Sequence, residues 1–196
     1  ASIMPCTWHQ TGISFWGRTK HWRYEVLCVQ GLQADKFDDA NWIKDGHKNA
    51  FEFGRSTQYA GAFRVDNYPV AGLRMAASGY LGGPTRNAPL YVRYVTAKGR
   101  VAIGAFDFTY QAHNWIVRGN FAYGHLWDSQ KISTVNRNYP KNSGCPQSNV
   151  ASDVMAYSIE AGYDLFSHMD HRLAAGIEYV AAQTQSIADL PWTNYH

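Results

Sequence analysis

Residues 101–124, VAIGAFDFTYQAHNWIVRGNFAYG, alternate apolar and polar side chains through two runs separated by Gln111, Ala112, His113 and Asn114. A period of two marks a strand with unlike faces, because successive side chains point to opposite sides of the pleat. The stretch predicts a β-hairpin. With those four residues as the turn, Tyr110 faces Trp115, Phe108 faces Val117 and Phe106 faces Gly119, while Asp107 faces Arg118 on the other side. An aromatic row on one face and an ion pair on the other support that register.

The same design recurs along the chain. Residues 8–17 and 22–30 flank a short turn at 18–21, and Trp22, Tyr24, Val26 and Cys28 lie opposite Arg23, Glu25, Leu27 and Val29. In 51–66, Tyr59, Phe63 and Val65 oppose Arg64; a tight link through Asn67, Tyr68 and Pro69 leads to 71–80, where Leu73, Met75 and Ala77 alternate with Arg74, Ala76 and Ser78. Residues 154–165 put Met155, Tyr157, Ile159, Ala161, Tyr163 and Leu165 on one face and Ser158, Glu160, Gly162 and Asp164 on the other. After a turn at 167–170, residues 172–182 alternate again. For that hairpin, Asp164 opposite Arg172 is preferred to a register forcing Glu160 against Glu178.

Long polar connections at about 32–50, 81–100 and 125–152 separate these hairpins. Leu90, Val92 and Tyr94 alternate within the second, but Gly82, Gly83, Pro84 and Pro89 before them and Gly99 after them read as loop. Connections then run short and long in strict turn across about eight strands, the pattern of a transmembrane β-barrel. The expected fold is all-β: one antiparallel transmembrane barrel segment over residues 1–196.

Alternation alone does not say which face meets water, since a soluble barrel has the same period. Lysine placement favours the membrane: Lys20, Lys36, Lys44, Lys48, Lys98, Lys131 and Lys141 all fall in turns or loops. The expected pore-lining set is Arg23, Glu25, Arg64, Arg74, Asp107, Arg118, Asn120, Glu160, Asp164, Arg172 and Glu178, with Arg93 adding to the field. Mixed carboxylates and guanidiniums suit a crowded wall facing confined water. Trp8, Trp16, Trp22, Tyr110, Trp115, Tyr123 and Tyr179 sit near strand ends and form the expected interfacial girdle.

Composition excludes other classes. Aromatic content of 15% beside 17 Gly leans toward an all-β chain. No apolar run reaches the roughly 18 residues of a membrane helix, and a net charge of +3 without a basic module gives no reason to expect nucleic acid. Cys6, Cys28 and Cys145 have no metal spacing; Cys6 and Cys28 flank a hairpin and could pair, but free thiols are expected. Asp35, Asp38, Asp39 and Asp45 lack the spacing of a calcium loop and read as solvated. No metal or cofactor is expected.

Several segments, YAGAFRVDNYPVAGLRMAASGY, KGRVAIGAFDFTYQAHNWIVRGNFAYGHL and SNVASDVMAYSIEAGYDLFS, resemble barrel strands of outer-membrane porins of Bacteroidota and, more distantly, the porin O/P family. PCTWHQTGISFWG is similar to a strand entering such barrels. The resemblance implies a water-filled channel in a Gram-negative outer membrane, without catalytic residues. Both ends of the chain fall on the long-loop side, and neither a signal peptide nor a terminal aromatic strand is present, so an internal piece of a larger barrel is expected.

The functional expectation is a passive pore, not an enzyme. Partners would be the lipid bilayer and lipopolysaccharide, small hydrophilic solutes, and a second copy or a surface protein. His168, Asp170 and His171 sit in a predicted tight turn, and His125 with Asp128 at a loop mouth offers a hydrolase alternative. A plugged barrel acting as a glycan- or protein-binding scaffold is the second reading, with Trp42, Tyr139 and Trp192 as surface stacking candidates. A soluble ligand-binding barrel is the third.

Overall fold

The computed structural model describes residues 10–47 and 57–164 in full, and residues 174–180, 183–186 and 193–195 as backbone. At its centre, β5 (Val101–Ala112) and β6 (Trp115–Leu126) close through a two-residue turn, His113 and Asn114, both left-handed at φ 52° and 67°. Two left-handed residues match the right-handed twist of the flanking strands, which a longer turn is not needed to accommodate. The register therefore differs by two residues from the expected one. Ala112 pairs with Trp115, Tyr110 with Val117, Phe108 with Gly119 and Asp107 with Asn120. A shift of two preserves the faces, so the aromatic row survives while Asp107 finds partners other than Arg118.

The remaining strands join this hairpin in chain order. They are β1 (Gly12–Arg18), β2 (Trp22–Gln30), β3 (Tyr59–Val70), β4 (Leu73–Gly82), β7 (Asp153–Asp164), β8 (Ala174–Val180), β9 (Gln183–Ser186) and β10 (Thr193–Tyr195). All pairs are antiparallel, and the path runs β1-β2-β3-β4-β5-β6-β7-β9-β10, with β8 also on β7. The described sheet is open, with β1 and β10 at its ends. Gly72, at φ 85°, makes the β3–β4 turn possible.

Two strand expectations are corrected. The expected eighth strand at 172–182 is β8; β9 follows beyond those bounds, its pairing with β7 advanced by one residue between Ser158–Val180 and Met155–Thr184, and β10 adds a short edge beyond it. Glu160 lies opposite Glu178, and Asp164 opposite Ala174. The rejected like-charge register is tolerable because Glu160 is half exposed and Arg118 meets it from the other neighbouring strand. Trp8, Leu165, the turn at 167–170 and Arg172 lie outside the described residues.

Connections alternate as expected from β1 to β7. Residues 83–100 contain no strand, and the Leu90–Val92–Tyr94 alternation falls in a 3-10 turn at Tyr91–Tyr94.

The core, however, sits in the connections expected to be polar loops. Leu32, Phe37, Trp42 and Ile43 from the first, Tyr94 and Ala97 from the second, and Ile132, Tyr139 and Val150 from the third form one buried cluster. The third contributes helix α1 (Ser129–Arg137), whose buried side faces that cluster. Together they cap one face of the sheet at the end reached by Val101, Ile103, Leu126 and Val154. Trp42 is fully buried, donates its indole N–H to Ala151 O at 3.0 Å, and lies against Gly124, where any Cβ would collide with the ring. Asn136 is equally buried and cross-links the cap: its amide donates to Ala34 O and Phe37 O, and Tyr94 O–H donates to its Oδ1 at 2.6 Å. Trp42 and Tyr139 are therefore not surface stacking residues, and Asp35 is buried rather than solvated. Trp192 lies outside the described residues.

Candidate functional site

The two faces of the sheet differ chemically. Phe63, Met75, Phe106, Phe121, Tyr157 and Ile159 lie on one face, and all are exposed; Phe106 is 42% exposed in mid-strand. Beside them Trp22, Tyr110 and Trp115 mark the short-turn end, where Trp115 meets Tyr163 edge-on at 4.9 Å, and Tyr123 marks the other end. The eight-residue rise from Trp115 to Tyr123 is roughly 27 Å along the strand. Trp16 breaks the expected girdle: it pairs with Glu25 and so shares the charged face. Tyr179 is described in its backbone alone, opposite Ile159.

The opposite face carries the expected charged set on β2 to β7. Arg64 Nη2 lies 3.1 Å from Asp66 Oδ1 and 3.1 Å from Asp107 Oδ2, and Arg74 Nη2 lies 2.8 Å from Asp107 Oδ1. Asp66 completes this quartet and is only 4% exposed. It is absent from the expected set, although its position two residues beyond Arg64 puts it on the same face. Arg118 and Glu160 are 3.6 Å apart, Arg23 and Glu25 3.9 Å, and Asn120 donates to Ser158 Oγ at 2.6 Å. A cleft of about 290 Å³ runs between Arg74, Asp107, Arg118, Asn120 and Glu160. Nearer the loop cap the same face turns apolar, and a pocket of about 280 Å³ lies among Leu27, Val29, Ala62, Ile103 and Ala105.

Some expected members are placed elsewhere. Arg93 lies in the 83–100 connection, donates to Asn138 O at 3.0 Å and stacks over Tyr139, because the strand that would have aimed it at the charged face does not form. Glu178 is described in its backbone alone. His125 Nδ1 sits 2.6 Å from Asp153 Oδ1, whereas Asp128 pairs with Lys131 at 3.0 Å. Ser152 Oγ donates to Asp153 Oδ2 at 2.8 Å. The His168–His171 turn and Cys6 lie outside the described residues; Cys28 and Cys145 are free thiols. No cluster of metal-ligating side chains occurs among the described residues.

The loop cap also holds an acid that water does not reach. Burial raises the Asp35 carboxyl above its ordinary value, with Lys36 opposing that shift, and Asp35 Oδ1 has no hydrogen-bond partner. A folded-state pKa above the unfolded one means the folded cap binds the proton more tightly. Its contribution is fully present below the unfolded pKa and is lost as pH rises through the folded one. Asp35→Asn is accordingly expected to stabilise the cap at neutral pH and to flatten its pH dependence. Limited proteolysis of the 31–58 connection across pH checks this; unchanged cleavage at pH 7 would refute it. Asp128, lowered by Lys131, has the opposite sign and weakens as pH falls through its folded pKa.

These features define an all-β chain whose described strands form a single antiparallel sheet, one face aromatic and exposed, the other charged and capped at one end by its own loops. No family model, curated protein or solved structure matches it.

Proposed function

We propose that this chain forms the wall of a β-barrel in a bacterial outer membrane and conducts small hydrophilic solutes by passive diffusion, without catalysis. The observation that carries this reading is the polarity of the two faces. An extended sheet that leaves rings exposed in mid-strand, while placing its arginines and carboxylates on the face its loops cover, suits lipid outside and confined water within. The porin resemblance of the strand segments points the same way. Solutes would pass the Arg64–Asp66–Arg74–Asp107 quartet and the Arg118–Glu160 pair, so selectivity would come from charge and constriction rather than tight binding.

The test is insertion of the native protein into a planar bilayer. Discrete conductance steps are expected. Arg118→Glu should move the reversal potential toward cation preference while the barrel still folds; an unchanged potential would mean Arg118 does not line the pore.

The packed loop cap supports a second reading, a plugged barrel that serves as a glycan- or protein-binding scaffold. Folding that depends on detergent, with no conductance but retention of a glycan or surface protein, would favour it. A protein that stays monomeric and soluble without detergent would refute both.

A further inference from the structure

A cleft of about 730 Å³ opens between the ends of β3 and β4 and the 83–100 connection. Arg86, Lys98 and Arg100 line it, together with exposed Tyr59, Leu81 and Tyr91, and no carboxylate is part of its wall. This differs from the charged face, where Arg64, Arg74 and Arg118 each meet an acid. The acid beside Lys98 is Asp128, which accepts the Lys98 backbone N–H at 3.1 Å, is paired with Lys131 at 3.0 Å and also feels the Lys98 charge from beyond ion-pair distance. None of the three cations has a carboxylate within ion-pair distance among the described residues.

The backbone beneath them is tied down. Arg86 N–H donates to Gln58 Oε1 at 2.9 Å, Thr57 Oγ1 donates to Arg86 O at 2.6 Å, and Trp127 N–H donates to Arg100 O at 2.9 Å. Three exposed cations whose backbone is held around one cleft can converge on an anion of more than one charge, their side chains ordering as it binds.

The cleft is continuous with the exposed aromatic face. Tyr59 and Leu81 belong to that face at its long-connection end, and Phe63 continues it along β3. An anion held there would therefore have an apolar strip directly below it. A free anion has no use for that strip, but an amphiphile does.

We propose that the cleft binds the phosphorylated headgroup of a membrane lipid, with the acyl chains lying over Leu81 and Phe63. The inference rests on the outer-membrane reading above, and it adds a lipid-specific site to it.

The test is titration of the detergent-solubilised protein with a diphosphorylated, acylated glucosamine disaccharide, followed by native mass spectrometry. The dephosphorylated lipid and inorganic phosphate serve as separate arms. Retention of the diphosphorylated lipid is expected, falling about tenfold or more in the triple variant R86Q/K98Q/R100Q, since each cation near a lipid surface adds attraction. Lys98→Gln alone should give a smaller loss, and Arg18→Gln at the opposite end none. Equal retention of the dephosphorylated lipid, equal protection by inorganic phosphate, or wild-type retention by the triple variant would each overturn the proposal. A barrel that folds in detergent and conducts yet ignores the phosphates refutes the lipid site alone, whereas solubility without detergent refutes the barrel.

Discussion

Trp42→Ala is expected to collapse the loop cap while leaving the sheet in place. The indole is fully buried, fills the space above Gly124 and donates to Ala151 O, so truncation removes both packing and a hydrogen bond. Loss of a buried aromatic of this kind costs about 3–5 kcal/mol. The loss falls on the cap, because Phe37, Ile43 and Ile132 gather in the loops whereas the sheet is held by its own ladder of backbone bonds. Protease should therefore cut the 31–58 and 127–152 connections in the variant far faster than in the wild type, while far-ultraviolet circular dichroism keeps its β signature. If the chain conducts as proposed, the same variant should conduct more in a bilayer, because the cap covers one end of the charged face. Equal protease resistance would mean that the cap does not depend on Trp42.

The second large effect concerns charge. On the charged face of β1 to β7, Arg18, Arg23, Arg64, Arg74 and Arg118 are balanced by Glu25, Asp66, Asp107, Glu160 and Asp164. Replacing Asp66 and Asp107 together by Asn removes two of those acids and releases Arg64 and Arg74 from the groups that hold them. The guanidiniums are 36% and 40% exposed, so solvent moderates the loss of stability to about 1–2 kcal/mol rather than the larger figure of a dry ion pair. Selectivity should respond strongly, with chloride favoured over potassium on the order of several-fold. An unaltered chloride-to-potassium ratio in the folded double variant would remove the quartet from the conduction path.

Much of the sheet was legible in the chain because alternation with period two is a local property. Each of β2 to β7 can be found from its own side chains, and the faces follow from parity alone. Arg64, Arg74, Asp107, Arg118 and Glu160 reach the charged face for that reason. Registers were less accessible. The β5–β6 turn reads as four residues by composition, but His113 and Asn114 accept left-handed backbone and shorten it to two. The backbone register places Glu160 opposite Glu178, and Arg118 pairs with Glu160 from the other neighbouring strand, a three-strand arrangement that a pairwise argument misses.

The loop cap shows where sequence reasoning stops. Leu32, Phe37, Trp42, Ile43, Ile132 and Val150 are scattered among Asp, Lys, Asn and Gly without a strand's period, so the segments read as polar connections. Only when three connections, each separated from the next by a whole hairpin, meet over one end of the sheet do these side chains leave water, and hydrophobic burial depends on area removed from solvent rather than on spacing along the chain. The sequence by itself determined β2 to β7, their two faces and the alternation of short and long connections between them. Which connections would pack, which aspartate would be buried and which arginines would remain unpaired at the rim were decided by tertiary structure, because burial and pairing are set by neighbours distant in the chain.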